Sequence, residues 1–87
     1  MSGSTAQEFP SEFPVKVMGR QGSDLRVLTQ AIIERNAGPV ADSSVKTRTS
    51  ADGNFLALTY MVHATSRKQL DDIYRELTAC KSVLMAL

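Results

Sequence analysis

The chain has very few of the cysteine and histidine residues that form disulfides and bind metals. Its 87 residues include one cysteine, Cys80, one histidine, His63, and no tryptophan. A single cysteine excludes an internal disulfide, and one cysteine with one histidine are too few soft ligands for a structural zinc site. We therefore expect no metal and no cofactor, and a reducing compartment, the cytoplasm.

A charge excess and a long apolar run are also missing. The formal net charge is only +1, which disfavours a strongly basic nucleic-acid binder because affinity for phosphate scales with the number of cations. A local basic patch remains open. No apolar run approaches the ~20 residues of a membrane helix, and Met1–Glu8 lacks the charged start and apolar centre of a signal peptide. We expect no membrane association.

No group of side chains in the sequence is typical of a catalytic centre. A catalytic histidine needs a hydrogen-bonding partner, and no serine, cysteine or aspartate near His63 in the sequence offers one. Cys80 follows a predicted helix, where a buried cysteine behaves as a small hydrophobe. Asp71 and Asp72 are adjacent on that helix and point in different directions. We predict no catalytic residues and no enzyme.

A turn signal at Asp52-Gly53 opens the longest uncharged, strand-like segment of the chain, which runs to Thr65. Gly53 is expected to adopt a positive φ in a short hairpin loop. The strand carries two alternating sets of side chains, one on each face. One set is Leu56, Leu58, Tyr60, Val62 and Ala64, and the other is Phe55, Ala57, Thr59, Met61 and His63. Two largely apolar faces indicate a central strand.

The other elements are predicted from turn, capping and periodicity signals. In chain order they are a mostly disordered arm over residues 1–12, a strand over Val15–Gly19, a helix from an N-cap at Ser23 to Asn36–Pro39, an edge strand over Ser44–Ser50, a helix opened by the Ser66–Gln69 capping box, and a terminal strand over Val83–Leu87. The single domain is expected to span residues 13–87. In the terminal strand, Val83, Met85 and Leu87 are expected to face the core.

Two strand-helix-strand units joined by a hairpin predict a ferredoxin-like βαββαβ two-layer sandwich of the α+β class. The expected sheet is antiparallel, with four strands in the order 4-1-3-2 and both helices on one face. The first and third strands are expected at the centre of the sheet. These two central strands are also predicted to run parallel to each other.

The helix-free face of this sheet is the first candidate binding surface, since a contiguous exposed apolar surface usually marks an interaction site. We expect it to contact a protein partner or a second copy of the chain. The residues predicted to lie on it are Lys16, Met18, Lys46, Arg48, Ala57, Thr59, Met61, Leu84 and Ala86.

Two alternatives remain open. The turn from Gly19 to Asp24 leads into a helix N-terminus, where free N–H groups could hold a small anionic metabolite. Its candidate ligand residues are Gly19, Arg20, Gly22 and Ser23. The less favoured alternative is a single-stranded RNA binder that stacks a base on Phe55 of the helix-free face.

Four stretches of the chain resemble the YbeD-like proteins, which are small uncharacterised bacterial proteins with a domain of unknown function. They are Phe13–Gly19, the hairpin Ser50–Phe55, Ser66–Leu77 with its Gln69-Leu70 and Ile73-Tyr74 core, and Val83–Leu87. The resemblance implies a ferredoxin-like fold similar to the ACT regulatory domains, which bind amino acids in metabolic enzymes. It supplies no catalytic residues. Together these observations predict a non-enzymatic, cytoplasmic, regulatory domain that acts by protein contact.

Overall fold

The computed structural model describes residues 10–22 and 24–87. The elements are β1 (Ser11–Arg20), α1 (Leu25–Ala37), β2 (Val45–Thr49), β3 (Phe55–Ala64), α2 (Arg67–Ala79) and β4 (Val83–Ala86), with a 3-10 turn at Asp42–Ser44. The first nine residues of the predicted arm lie outside the described residues. β1 begins at Ser11, two residues before the predicted start of the domain.

The four strands form one antiparallel sheet in the order β2-β3-β1-β4, which confirms the predicted order read from the other edge. The prediction that β1 and β3 run parallel is wrong, since they pair antiparallel over ten residue pairs. The reason is the hairpin. Each helical crossover returns the chain in its starting direction, whereas the β2–β3 hairpin reverses it.

The hydrophobic core lies between the sheet and both helices. β1 contributes Val15 and Val17, and β3 contributes Leu58, Tyr60 and Val62. The helices cover these strands with Leu25, Ile32 and Ile33 from α1 and with Leu70, Ile73 and Leu77 from α2. Each such aliphatic side chain contributes roughly 1.5–3 kcal/mol when it is fully buried. Because both helices lie on the same side, the opposite face of the sheet has no helix over it.

The two helices begin differently. At α2, the Ser66 hydroxyl accepts a hydrogen bond from the Gln69 amide at 3.1 Å, as the capping box predicts. In a complete capping box the Gln69 side chain would accept a hydrogen bond from the Ser66 amide. Here it accepts one from the Thr65 amide, at 2.7 Å. α1 begins at Leu25 with Asp24 as its N-cap, so the predicted N-cap at Ser23 is one residue too early. Ser23 itself lies outside the described residues. No described helix is long and apolar enough to cross a membrane.

Glu76 joins the two helices on their outer side. Its carboxylate accepts a hydrogen bond from the Asn36 side-chain amide at 2.9 Å and also pairs with Arg35. The hydrogen bond from Asn36, followed by that from Arg35, holds the pKa of Glu76 below its usual range. An α2 carboxylate thereby ties down the last turn of α1, which fixes the helix pair over the sheet.

A buried hydrogen-bond chain joins α1 to the centre of the sheet. The Thr29 hydroxyl donates to the Leu25 carbonyl at 2.7 Å. Its oxygen therefore accepts from the Tyr60 hydroxyl, also at 2.7 Å. Burial raises the pKa of Tyr60, so this hydroxyl stays protonated and remains a donor at neutral pH. A buried hydroxyl without a partner costs about 1–3 kcal/mol, so each of these groups depends on the other.

Gly19 allows three parts of the chain to pack closely together. A Cβ at this position would lie 2.5 Å from the Ser82 carbonyl oxygen and 2.8 Å from Leu25 Cδ1. Any side chain would therefore push β1 away from α1 and from the loop that leads into β4. Gly53 has a different role, because its φ of +78° confirms the predicted hairpin conformation and nothing lies within 4 Å of a Cβ there.

We expect Gly19→Ala to destabilise the protein more than Gly53→Ala. The first change introduces a clash with a backbone oxygen, and overpacking of this kind costs about 1–3 kcal/mol and occasionally more. The second only places a side chain in the left-handed region, which costs about 1 kcal/mol. Urea melts of the two variants measure the difference. Equal losses would contradict the close packing at Gly19.

Replacing one partner of the buried Thr29–Tyr60 pair should cost more than replacing both. Thr29→Val leaves the Tyr60 hydroxyl with only the Arg26 carbonyl at 3.4 Å, so we expect a loss of about 1–3 kcal/mol. Adding Tyr60→Phe removes the Tyr60 hydroxyl that has lost its partner, so the double variant should recover part of the lost free energy of unfolding. Denaturant melts of the single and double variants complete the cycle. Strictly additive losses would mean that the two hydroxyls do not interact.

Candidate binding face

The helix-free face consists of the strand residues that alternate with the buried ones. The pairing register and the burial pattern place thirteen side chains on it. They are Glu12, Pro14, Lys16, Met18 and Arg20 from β1, Lys46 and Arg48 from β2, Phe55, Ala57, Thr59, Met61 and His63 from β3, and Met85 from β4. Seven of the nine residues predicted for this surface are among them, and the two exceptions, Leu84 and Ala86, are both in β4.

A β-bulge in β4 explains those exceptions. Met85 pairs with Met18, but Val83 instead of Leu84 pairs with Gly19, so Leu84 is an extra residue in the strand. An extra residue reverses the alternation of side chains on either side of it. Ala86 consequently lies opposite Val17 and packs against the core, so its predicted place on the helix-free face is wrong. Leu84 is 55% exposed beside the bulge.

The same bulge overturns the prediction that Met85 and Leu87 face the core. Met85 is 50% exposed and Leu87 is 61% exposed, whereas Val83 packs against the core as predicted. Leu87 exchanges two backbone hydrogen bonds with Lys16, at 3.0 and 2.7 Å, which places it across from that lysine. Because every residue from Val83 to Leu87 is apolar, the sequence offered no alternation from which the bulge could be read.

Three cations from β1 and β2 lie close together on the helix-free face, on either side of β3. Lys46 lies opposite Thr59, and Thr59 lies opposite Lys16, so the three form one row across the strands. Arg48 stands in the next row on the same face, opposite Ala57. Together they border a depression of about 320 Å³, whose other described lining residues are Thr47, Ala57 and Thr59. We call it the cationic depression.

The cations of this depression have no counter-charge within the described part of the chain. The ion pairs formed there use other basic residues, namely Arg26, Arg35, His63, Arg67, Lys68 and Arg75. None of the described residues that line the depression is acidic. The described residues therefore do not neutralise the positive field at this point, and it can attract an anionic group.

A second, more apolar depression adjoins the first. It has a volume of about 200 Å³ and shares Arg48 and Ala57 with the cationic depression. Met18, Phe55 and Leu56 supply its apolar walls. We call it the apolar depression. The Arg20 guanidinium lies 5.8 Å from the centroid of the Phe55 ring, which is within the range of a cation–π contact.

His63 has a partner that the sequence did not reveal. Its Nδ1 lies 2.9 Å from Glu12 Oε2, at the end of the helix-free face away from Phe55. The two residues are 51 positions apart, and the β1–β3 register places them opposite each other. Nothing local in the sequence signals this contact. Both side chains are more than half exposed, and such exposed pairs contribute about 0–1 kcal/mol.

The described residues of the predicted glycine turn lie in different surroundings. Gly19 is buried in β1 with its space already filled, and Arg20 reaches the helix-free face over Phe55. Gly22 is exposed, with a φ of +89°. Ser23 lies outside the described residues. The close packing around Gly19 accounts for glycine at that position without a ligand.

Cys80 and Asp72 take part in core packing and in ion pairs, respectively. Cys80 follows α2 and packs against the core. Asp72 pairs with Lys68 and Arg75, and these hydrogen bonds lower its pKa. Over residues 10–22 and 24–87, no three histidine, cysteine, aspartate or glutamate side chains are grouped so that they could hold a metal ion.

The fold and this face define a small ferredoxin-like α+β domain with one open sheet surface. The chain belongs to the family described as "Protein of unknown function (DUF493)", which matches residues 4–87. It is 42% identical over 80 residues to a UPF0250 protein of Paraburkholderia phytofirmans, covering 92% of this chain and 90% of the relative. A UPF0250 protein of Bordetella pertussis is 46% identical over 71 residues, covering 80% of this chain and 77% of the relative.

These comparisons confirm the resemblance to the YbeD-like family of bacterial proteins. A solved structure agrees on the architecture. The solution structure of protein HP0495 from H. pylori matches with a TM-score of 0.75 at 12% identity, over 100% of this chain and 94% of that one. At so low an identity the likeness shows the fold alone.

The revised faces of β4 can be tested with three aspartate substitutions. Ala86→Asp should destabilise the protein by about 2 kcal/mol, because it places a charge against the core. Met85→Asp and the matched Met61→Asp should each cost less than about 1 kcal/mol, since both side chains project from the helix-free face. Circular dichroism melts measure the three losses. A larger loss for Met85→Asp than for Ala86→Asp would place the bulge elsewhere.

Proposed function

We propose that this protein is a non-enzymatic, regulatory, cytoplasmic domain that binds an acidic segment of a partner protein through its helix-free face. The observation that carries the proposal is the cationic depression, where Lys16, Lys46 and Arg48 stand together without a counter-charge among the described residues. Net charge alone did not point to an acidic partner, because the chain as a whole is nearly neutral.

The apolar residues of the same face support a protein partner over a small ion. Met18, Ala57, Met61 and Met85 surround or adjoin the cations, and Met61 and Met85 are 40% and 50% exposed. Burying apolar area contributes about 25 cal/mol per Å². A partner with both carboxylates and apolar side chains could pair with the cations and also cover the exposed apolar side chains of this face. Methionine side chains also adapt readily to the shape of a binding partner.

The charge distribution disfavours the alternative in which two copies meet face to face. Such a contact would bring two sets of unpaired cations together, and like charges across an interface cost several kcal/mol. An acidic partner converts the same charges into an attraction that speeds association and weakens with added salt. The regulatory part of the proposal rests on the fold that ACT domains share, which is an analogy of fold.

Three immobilised forms of the protein test this proposal. The first is the wild type, and the second carries Lys46→Glu with Arg48→Glu. The third carries Arg67→Glu with Lys81→Glu, which changes the net charge equally at residues that do not line the helix-free face. We expect a nuclease-treated lysate to yield acidic proteins on the first and third forms and not on the second. Mass spectrometry identifies them, and circular dichroism verifies the fold of each form.

The proposal predicts that captured proteins elute as the salt concentration rises, because the contact includes unpaired charges. Capture that is the same on all three forms would contradict it. Binding that disappears when the lysate is treated with nuclease would indicate nucleic acid as the partner and would also contradict it.

A further inference from the structure

We infer that the cationic depression is a subsite for a phosphate monoester, carried as a phosphorylated side chain on the partner protein. The inference rests on the proposed function, since it specifies which anionic group of the partner the helix-free face takes. It concerns the three cations Lys16, Lys46 and Arg48 and the Thr59 hydroxyl between them.

The number of cations favours phosphate over carboxylate. A carboxylate brings one negative charge and two oxygens. A phosphate monoester carries −1.5 to −2 charges at neutral pH and three acceptor oxygens. Three cations without a counter-charge among the described residues border this one depression. A dianion with three oxygens can engage each of them, whereas a single carboxylate would leave at least one without a direct contact.

The arrangement of the donors also suits a tetrahedral oxyanion. Lys46 and Lys16 flank Thr59 in one row. Adjacent strands are about 4.8 Å apart, so the two lysine Cα atoms lie roughly 10 Å apart. Their flexible side chains can therefore close on a group above Thr59. Arg48 adds a planar guanidinium that can donate two parallel hydrogen bonds.

Thr59 and Ala57 form the floor of the depression. The Thr59 side-chain hydroxyl makes no hydrogen bond to another described residue, so it can donate to a bound oxygen. Ala57 is small, and it stands beside Arg48 where a larger side chain would fill the space. Thr59 thus provides a hydrogen-bond donor on the floor of the depression, and Ala57 leaves space for a bound oxyanion.

The neighbouring apolar depression favours a phosphate attached to a protein over a free phosphate ion. The two depressions share Arg48 and Ala57, so a ligand of sufficient length that binds in one can also contact the other. Free phosphate would leave Met18 and Phe55 uncovered. A phosphorylated residue followed by an apolar one would occupy both depressions.

The test uses a short blocked peptide with one leucine beside one phosphoserine. Two matched peptides carry serine or glutamate in place of phosphoserine, and inorganic phosphate is the fourth probe. Each is titrated into the ¹⁵N-labelled full chain and followed by NMR. We expect the phosphopeptide to bind at least ~tenfold more tightly than the glutamate peptide, because it makes additional hydrogen bonds to charged groups. The amide signals that move should include Lys16, Lys46 and Thr59.

Variants of the protein locate the site. Lys46→Ala and Arg48→Ala should each weaken phosphopeptide binding ~tenfold, while the control Lys81→Ala, outside the depression, should not change it. Both changed side chains are exposed in an edge strand, so the spectrum of the free protein should remain that of a folded chain. Binding should also strengthen between pH 5 and pH 7.5, as the phosphate loses its second proton near pH 6.

Three results would overturn the inference. Equal affinity for the phosphoserine and glutamate peptides would mean that the site binds acidic groups in general and does not prefer phosphate. The proposed function would stand in that case. Phosphopeptide binding that survives both alanine variants would place the site elsewhere. Inorganic phosphate binding as tightly as the phosphopeptide would contradict a protein-borne group. Failure of the proposed function is a separate result, because it is read from the charge-reversed form in the lysate experiment.

Discussion

Ten consecutive residue pairs join β1 to β3 in antiparallel register, from Ser11 with Ala64 to Arg20 with Phe55. This register sorts the side chains of the protein. It places Val15 and Val17 with Tyr60 and Leu58 under the helices, and it places Lys16 and Met18 with Thr59 and Ala57 on the helix-free face. Shifting the register by one residue would exchange the two faces of a strand. The core and the candidate site therefore depend on the same pairing.

The packing of the helices then makes the two faces unequal. Gly19 lets α1 and the loop before β4 approach the end of β1, and the Thr29–Tyr60 hydrogen bond ties α1 to β3. Glu76 links α1 and α2 on the outer side. These contacts are all on one side of the sheet. The opposite side carries the cationic depression, the Glu12–His63 pair and several exposed apolar side chains. These side chains can contact a partner without disturbing the core.

Much of the architecture could be predicted because its signals are local. Alternation of side chains indicated β3, helical spacing and the Ser66 cap indicated α2, and Gly38 and Gly53 marked a helix end and a hairpin, each with positive φ. The placement of Lys16, Lys46 and Arg48 on one face followed from alternation in their strands. The predictions failed where several registers fit equally well, as in the uniformly apolar segment from Val83 to Leu87. They also failed at the start of α1, where Asp24 took the place predicted for Ser23.

By itself, the sequence determined the element order, the four-stranded sheet and the placement of seven side chains of β1, β2 and β3 on the helix-free face, because period-two alternation and capping act over a few residues. Tertiary structure alone decided three things. It brought Glu12 to His63, 51 positions away, and it set Met85 instead of Ala86 on the helix-free face. It also gathered Lys16, Lys46 and Arg48 around one depression. These depend on the registers between strands, which are set by the packing of the whole sheet against two helices.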